Sequence, residues 1–124
     1  MITATSDSPN FTTVFSDGAH STTADTTANN GGAGGGFRPH DLLEAAIATC
    51  INIAVRMYAT REGIPLDGVI ARVTLDRSET DQAIFRQEVE LLGTLTEDQR
   101  AKLMKVARAC PVRRTLMRTL RFDD

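Results

Sequence analysis

The residues best suited to covalent chemistry in this sequence are two cysteines, Cys50 and Cys110, sixty positions apart. Neither stands in a CxxC or Cys/His spacing, so no zinc site is expected, and no metal or other cofactor is called for. One pair is too few for a disulfide framework. The opening residues MITATSDSPN carry neither a basic region nor an apolar core of a secretory leader. The expected compartment is therefore the cytoplasm, where a lasting structural disulfide is out of place. Two readings stay open. Free cysteine packs as a small hydrophobe, so both thiols can be inert core residues. If the two meet, redox chemistry is the better reason.

The sequence context gives the thiols unequal roles. Leu103, Val106, Ala107 and Cys110 fall at i, i+3, i+4 and i+7, with Pro111 directly after. This predicts Cys110 at the C-terminal end of a helix, where the dipole disfavours a thiolate. Cys50 is predicted near the middle of a long helix. It is the favoured nucleophile, with Cys110 as its resolving partner. An unassisted thiol is only a few per cent thiolate at pH 7, so Cys50 needs a cation or a donor. Arg38 flanks the start of its helix, and His40 follows closely. These two are the candidate thiolate-stabilising residues. Arg113 and Arg114 follow Cys110 and could meet an anionic substrate; such a pair is more often a solvated face or ion-pairs with Glu88 and Glu90. His20 is expected on a strand, without an identifiable partner.

The elements that must position these residues are legible from pattern. Pro39 suits a helix start, Gly63 a C-cap, and Pro65 forbids continuation, which predicts a helix over 40–62. It is apolar on nearly every face and is expected to be the buried central helix. On the helical wheel Cys50 shares a lane with Leu43, Ala46, Ile47, Ile53, Ala54 and Met57, which favours a greasy substrate. Val69–Leu75 and Ile84–Leu92 alternate, and a polar turn between them predicts a hairpin. Thr96 with Gln99 has the capping-box form and opens the second cysteine's helix. Short strands are expected near 2–5, 11–15 and 19–24, with a hairpin turn at Ser16-Asp17-Gly18. The run NNGGAGGG over 29–36 lacks a following Gly-Lys-Ser/Thr and reads as a mobile connection rather than a phosphate cradle. Val112–Phe122 is expected as a short turn or helix, then a basic edge segment.

Composition sets the outer bounds. The chain has 124 residues, 41% of them hydrophobic, and a net charge of -2. This fits one globular domain over 1–124. Eight of the 14 basic residues lie between Arg100 and Arg121. Without interleaved aromatics, that segment is not expected to bind nucleic acid. The apolar stretch 42–59 is interrupted by Glu44, Asn52 and Arg56, so no membrane span is expected.

Two segments resemble a known family. GGAGGGFRPHDLLEAAIATCINIAVRMYATREGIPLDGV carries Pro-x-x-Leu-Leu-x-Ala-x-x-x-x-Cys, and VELLGTLTEDQRAKLMKVARACPVRRTL ends in Cys-Pro-Val-x-x-Thr-Leu. Both resemble the cysteine motifs of the OsmC/Ohr-like proteins, and FSDGAHSTTAD resembles the family's opening strands more loosely. The resemblance implies an α+β fold: antiparallel sheets packed around a long buried central helix and a second cysteine-bearing helix, in an intertwined homodimer. It implies a thiol peroxidase in which Cys50 attacks an organic hydroperoxide, Cys110 closes a disulfide, and a dithiol reduces it. Peroxide-reducing members also carry an Arg in the early strand-turn region and a Glu just after the Pro. Here Asp7–Phe15 holds no Arg, and His40 stands at the Glu position. The chain thus resembles the less characterised OsmC-like branch, for which weaker peroxide reduction is expected. A second function class is a non-catalytic protein that binds a small hydrophobic ligand in the pocket at the dimer interface.

Overall fold

The structure, a computed structural model, describes residues 1–124. Its elements run β1 (Thr3–Ser6), β2 (Thr13–Ser16), β3 (Ser21–Ala24), a 3-10 turn (Ala28–Asn30), α1 (Pro39–Arg61), β4 (Gly68–Asp76), β5 (Ile84–Leu92), α2 (Glu97–Arg108) and α3 (Pro111–Leu116). This is an α+β chain with two antiparallel sheets, ordered β1-β2-β3 and β4-β5. It divides into two compact units, Met1–Leu43 and Glu44–Asp124, with the boundary inside α1.

In the first unit β2 pairs with both neighbours, Phe15 facing Ala4 on one side and Thr22 on the other. The turn into β3 is held by Asp17, whose carboxylate accepts from the Ala19 and His20 amides and lies 3.1 Å from His20 Nδ1. His20 therefore has a partner, and it precedes the strand. The glycine run is also more built than its composition implies. Asp25 is buried, and its carboxylate accepts from the amides of Thr26, Ala33 and Gly35 at 2.7, 3.1 and 3.1 Å. These bonds hold its pKa below the usual carboxylate range. A Cβ on Gly32 would collide with the Thr26 carbonyl oxygen. Glycine is required there for close approach, so the run is a loop wrapped on a carboxylate.

Proline 39 opens α1, and Asp41 accepts from the Arg38 amide at 2.9 Å, closing the first turn. At the other end Gly63 adopts φ 64°, and the Ile64 amide donates to the Ala59 carbonyl at 2.9 Å. By length and composition α1 is apolar enough to cross a membrane. Its polar residues show what it packs on instead. Glu44 accepts from the Leu75 amide, and Asn52 donates to the Val69 carbonyl, both at 2.7 Å. Both partners lie on β4, so α1 lies against the hairpin as the core helix of a globular unit.

The core of the second unit joins Ile47, Ile51, Val55 and Ala59 of α1 with Leu91, Leu103, Ala107 and Cys110. Val69, Ala71, Val73, Phe85 and Val89 pack on it from the inward side of the hairpin. The fully buried stripe of α1 repeats every four residues and is narrower than the all-round apolar pattern implies. Leu43, Ile53 and Met57 stay exposed, Met57 at 67%. The physical reason is that the hairpin and α2 cover one side of a helix, not its circumference. The C-terminal residues after α3 form no strand, contrary to the edge segment expected there.

Candidate active site

Helix α1 carries Cys50 partly buried, one residue before the fully buried Ile51. Cys110 is fully buried at the joint between α2 and α3. Both thiols are free, and Cys50 packs against the core cluster that contains Cys110. The two cysteines of the sequence reading thus lie in the same unit and pack in one core cluster, Cys50 partly buried and Cys110 fully so.

The surroundings of Cys110 differ from the sequence expectation. Helix α2 ends at Arg108, and Cys110 is the N-cap of α3 rather than the last residue of α2. Proline 111 is the cause: it stops one helix and, at the first position of the next, starts another. Because of this reversal, the Arg113 amide donates to Cys110 Sγ at 3.5 Å. Burial pushes the Cys110 thiol up, the Arg113 amide pulls it back, Cys50 beside it pushes it up again, and the charge of Arg113 lowers it.

The Arg113 guanidinium is fixed by Gln87, donating from Nη1 to Oε1 at 3.2 Å. Gln87 lies on β5 between the inward-facing Phe85 and Val89, whereas Glu88 and Glu90 face outward and meet Arg72. The expected ion pairs of Arg113 or Arg114 with Glu88 and Glu90 are therefore absent. Arg113 lies within ion-pairing distance of no carboxylate. A cavity of about 440 Å³ is lined by Ile47, Phe85, Gln87, Arg113, Leu116 and Leu120, among others. Its lining includes the residue three before Cys50 and the residue three after Cys110. Of the apolar lane expected around Cys50, only Ile47 contributes to this cavity.

Arg38 and His40 lie in the first unit, exposed at the start of α1. The Arg38 guanidinium grips Asp41, with Nη2 to Oδ1 at 2.6 Å and Nε to both oxygens at 3.1 Å. This pairing holds the Asp41 carboxyl below its usual range. No cluster of metal-ligating side chains is present.

The family model described as "OsmC-like protein" matches residues 31–123. The chain belongs to the OsmC-like family. Among curated proteins none matches its sequence. Solved structures share its fold. A Psychrobacter arcticus protein named for osmotic stress induction and detoxification response superposes with a TM-score of 0.76 at 21% identity, over 92% of this chain and 85% of that one. The OsmC-like protein of Mycoplasma pneumoniae gives 0.72 at 21% identity, over 94% and 85%. An organic hydroperoxide resistance protein of Legionella pneumophila gives 0.66 at 21% identity, over 94% and 88%. The α+β, OsmC-like architecture is thereby established for this chain.

Proposed function

We propose that this OsmC-like protein is a thiol-dependent peroxidase that reduces organic hydroperoxides through Cys50 and Cys110. The observation carrying this reading is the packing of a partly buried cysteine, Cys50, against the core cluster that holds the fully buried Cys110. In the first step the Cys50 thiolate attacks a peroxide oxygen; the O–O bond breaks, leaving a sulfenic acid and an alcohol once the alkoxide takes a proton. In the second, the Cys110 sulfur displaces hydroxide from Cys50, which leaves as water, and a disulfide forms. A dithiol then reduces the bond by two exchanges. A mostly apolar cavity that shares Ile47 of α1 and Arg113 of α3 with the cysteines' helices favours hydroperoxides with a bulky organic group over hydrogen peroxide. Arg38, braced by Asp41, and His40 stand ten or more residues before Cys50, at the start of α1, so they are proposed to assist the Cys50 thiol of a second copy in the homodimer. Residues 1–124 act as one domain in a cytoplasmic homodimer, and the exposed Leu43, Ile53 and Met57 of α1 supply the apolar surface for dimerisation.

The test is peroxide consumption with a dithiol present. Cys50→Ser should abolish it. Cys110→Ser should leave a sulfenic acid at Cys50 that a dimedone-type probe traps, or a more oxidised product. Arg38→Ala should slow the first step. The second reading, a non-catalytic binder of a small hydrophobic ligand, draws on the same cavity. It would be preferred if the native protein binds an apolar dye competitively with hydroperoxide yet turns none over.

A further inference from the structure

We infer that Arg113 is a positioning residue for the disulfide step: it carries the negative charge of Cys110 while that sulfur attacks Cys50 or leaves it. The inference rests on the thiol-pair reading above and assigns a residue to its second half.

Three observations converge on Arg113. Its backbone amide donates to Cys110 Sγ at 3.5 Å, which places the start of the Arg113 side chain next to that sulfur. Its guanidinium is anchored by a neutral amide, Gln87 Oε1 at 3.2 Å, so direction is fixed while the charge stays uncompensated. Were Glu88 or Glu90 the anchor, much of that charge would be spent on an ion pair. Those carboxylates face outward to Arg72. Cys110 is also the sulfur in need of help, because it has no solvent exposure and burial disfavours its thiolate. Cys50 from α1 and Arg113 from α3 are the titratable and charged groups acting on it.

Accessibility sets the direction of the exchange. A reducing thiolate reaches the partly exposed Cys50 sulfur and forms a mixed disulfide there. The electron pair of the old S–S bond goes to Cys110, which departs as a thiolate. A second thiolate then releases Cys50. Departure is faster when the leaving sulfur is better stabilised. In the forward direction the same stabilised thiolate closes the bond. Arg113 therefore acts on closing and reopening through Cys110.

Two measurements that need no peroxide test this. The protein is oxidised with diamide and the rate of reopening by dithiothreitol is followed. Separately, the Cys110 thiolate is titrated by its ultraviolet absorbance in a Cys50→Ser background. A neighbouring positive charge typically moves such a group by about one pH unit or more, less where solvent screens it. Arg113→Gln should therefore slow reopening about three- to tenfold and move the Cys110 titration upward, while Arg113→Lys recovers most of both. Arg114→Gln, on the exposed side of α3, should change neither. If Arg113→Gln does not fold, Gln87→Leu removes the anchor instead and should shift both readouts in the same direction. Reopening and titration both within twofold of the native protein in the folded variant would overturn the inference. Normal effects of Arg113 alongside no turnover of any hydroperoxide would keep the inference and refute the peroxidase reading.

Discussion

Closing the Cys50–Cys110 bond should stabilise the fold, and the amount can be worked out. The bond encloses about 60 residues, for which the loss of loop-closure entropy in the unfolded chain amounts to about 4 kcal/mol at 25 °C. Native strain subtracts from this, so a gain of about 2–4 kcal/mol is expected. The subtraction should be small if the packing of Cys50 on the cluster containing Cys110 lets the bond close without moving either helix. For a domain between the 100- and 150-residue classes, about 1 kcal/mol moves the melting midpoint by roughly 4 °C. The oxidised protein should therefore melt roughly 8–16 °C above the reduced one. Calorimetry at one protein concentration, before and after one equivalent of diamide, measures this, with mass spectrometry confirming loss of two hydrogens. Cys50→Ser and Cys110→Ser should show no shift. An oxidised protein that contains the intrachain bond but melts at or below the reduced midpoint would refute the reasoning, because the pair would then be held apart by a geometry the bond must distort.

Met57→Glu places a carboxylate on the exposed apolar side of α1 and should shift the proposed dimer toward monomer in sedimentation velocity; an unchanged sedimentation coefficient would place the dimer interface elsewhere. Asp25→Asn should open the loop over residues 31–36 to limited proteolysis, since one acceptor oxygen becomes a donor facing an amide. The folded pKa of Asp25 lies below its unfolded value, so its contribution is present above about pH 4 and is lost as pH falls through the folded pKa. Acid unfolding of Asp25→Asn should accordingly be less steep below pH 4 than that of the native chain. Thr96→Ala removes the hydroxyl that accepts from the Gln99 amide at 3.1 Å and should cost about 1 kcal/mol in denaturant melts.

Local chemistry was legible wherever one residue type determines one local geometry. Pro39 and Gly63 bracket α1, the alternation of β4 and β5 yields the observed hairpin, and Thr96 with Gln99 forms the expected box. Failures came where a residue serves two elements. The helical period carries the eye from Leu103 to Cys110, but Pro111 is both a stop and a start, and the sulfur belongs to the helix that begins there. Opposite charge alone would pair Arg113 with Glu88 and Glu90. The strand's own alternation turns those outward and leaves Gln87 inside, a signal present in the sequence but outweighed by opposite charge. Asp25 was not singled out as a site residue. An Asp before a glycine run is the cue that amides, not phosphate, provide the partners.

The contrast in burial between the two thiols has a chemical consequence that depends on neither the oxidant nor the reductant. A thiol exposed to peroxide can climb from sulfenic to sulfinic acid, which ordinary dithiols do not reverse. Placing the second thiol in the core protects it from that fate, since Cys110 sees oxidised sulfur only as Cys50 presents it. Enclosure also makes the Cys110 thiolate harder to form, so protection slows resolution and leaves Cys50 longer in its vulnerable state. The Arg113 amide, and on the inference above its charge, counter part of that cost while leaving the sulfur enclosed. On this reasoning Arg113→Gln should make the protein more prone to over-oxidation of Cys50 at high hydroperoxide. The sulfinic acid fraction after repeated cycles, measured by intact-mass analysis, should rise about as much as disulfide closure slows. A variant that closes slowly yet shows no extra sulfinic acid would mean that Cys50 is shielded by the fold itself and that the speed of Cys110 is not what preserves it.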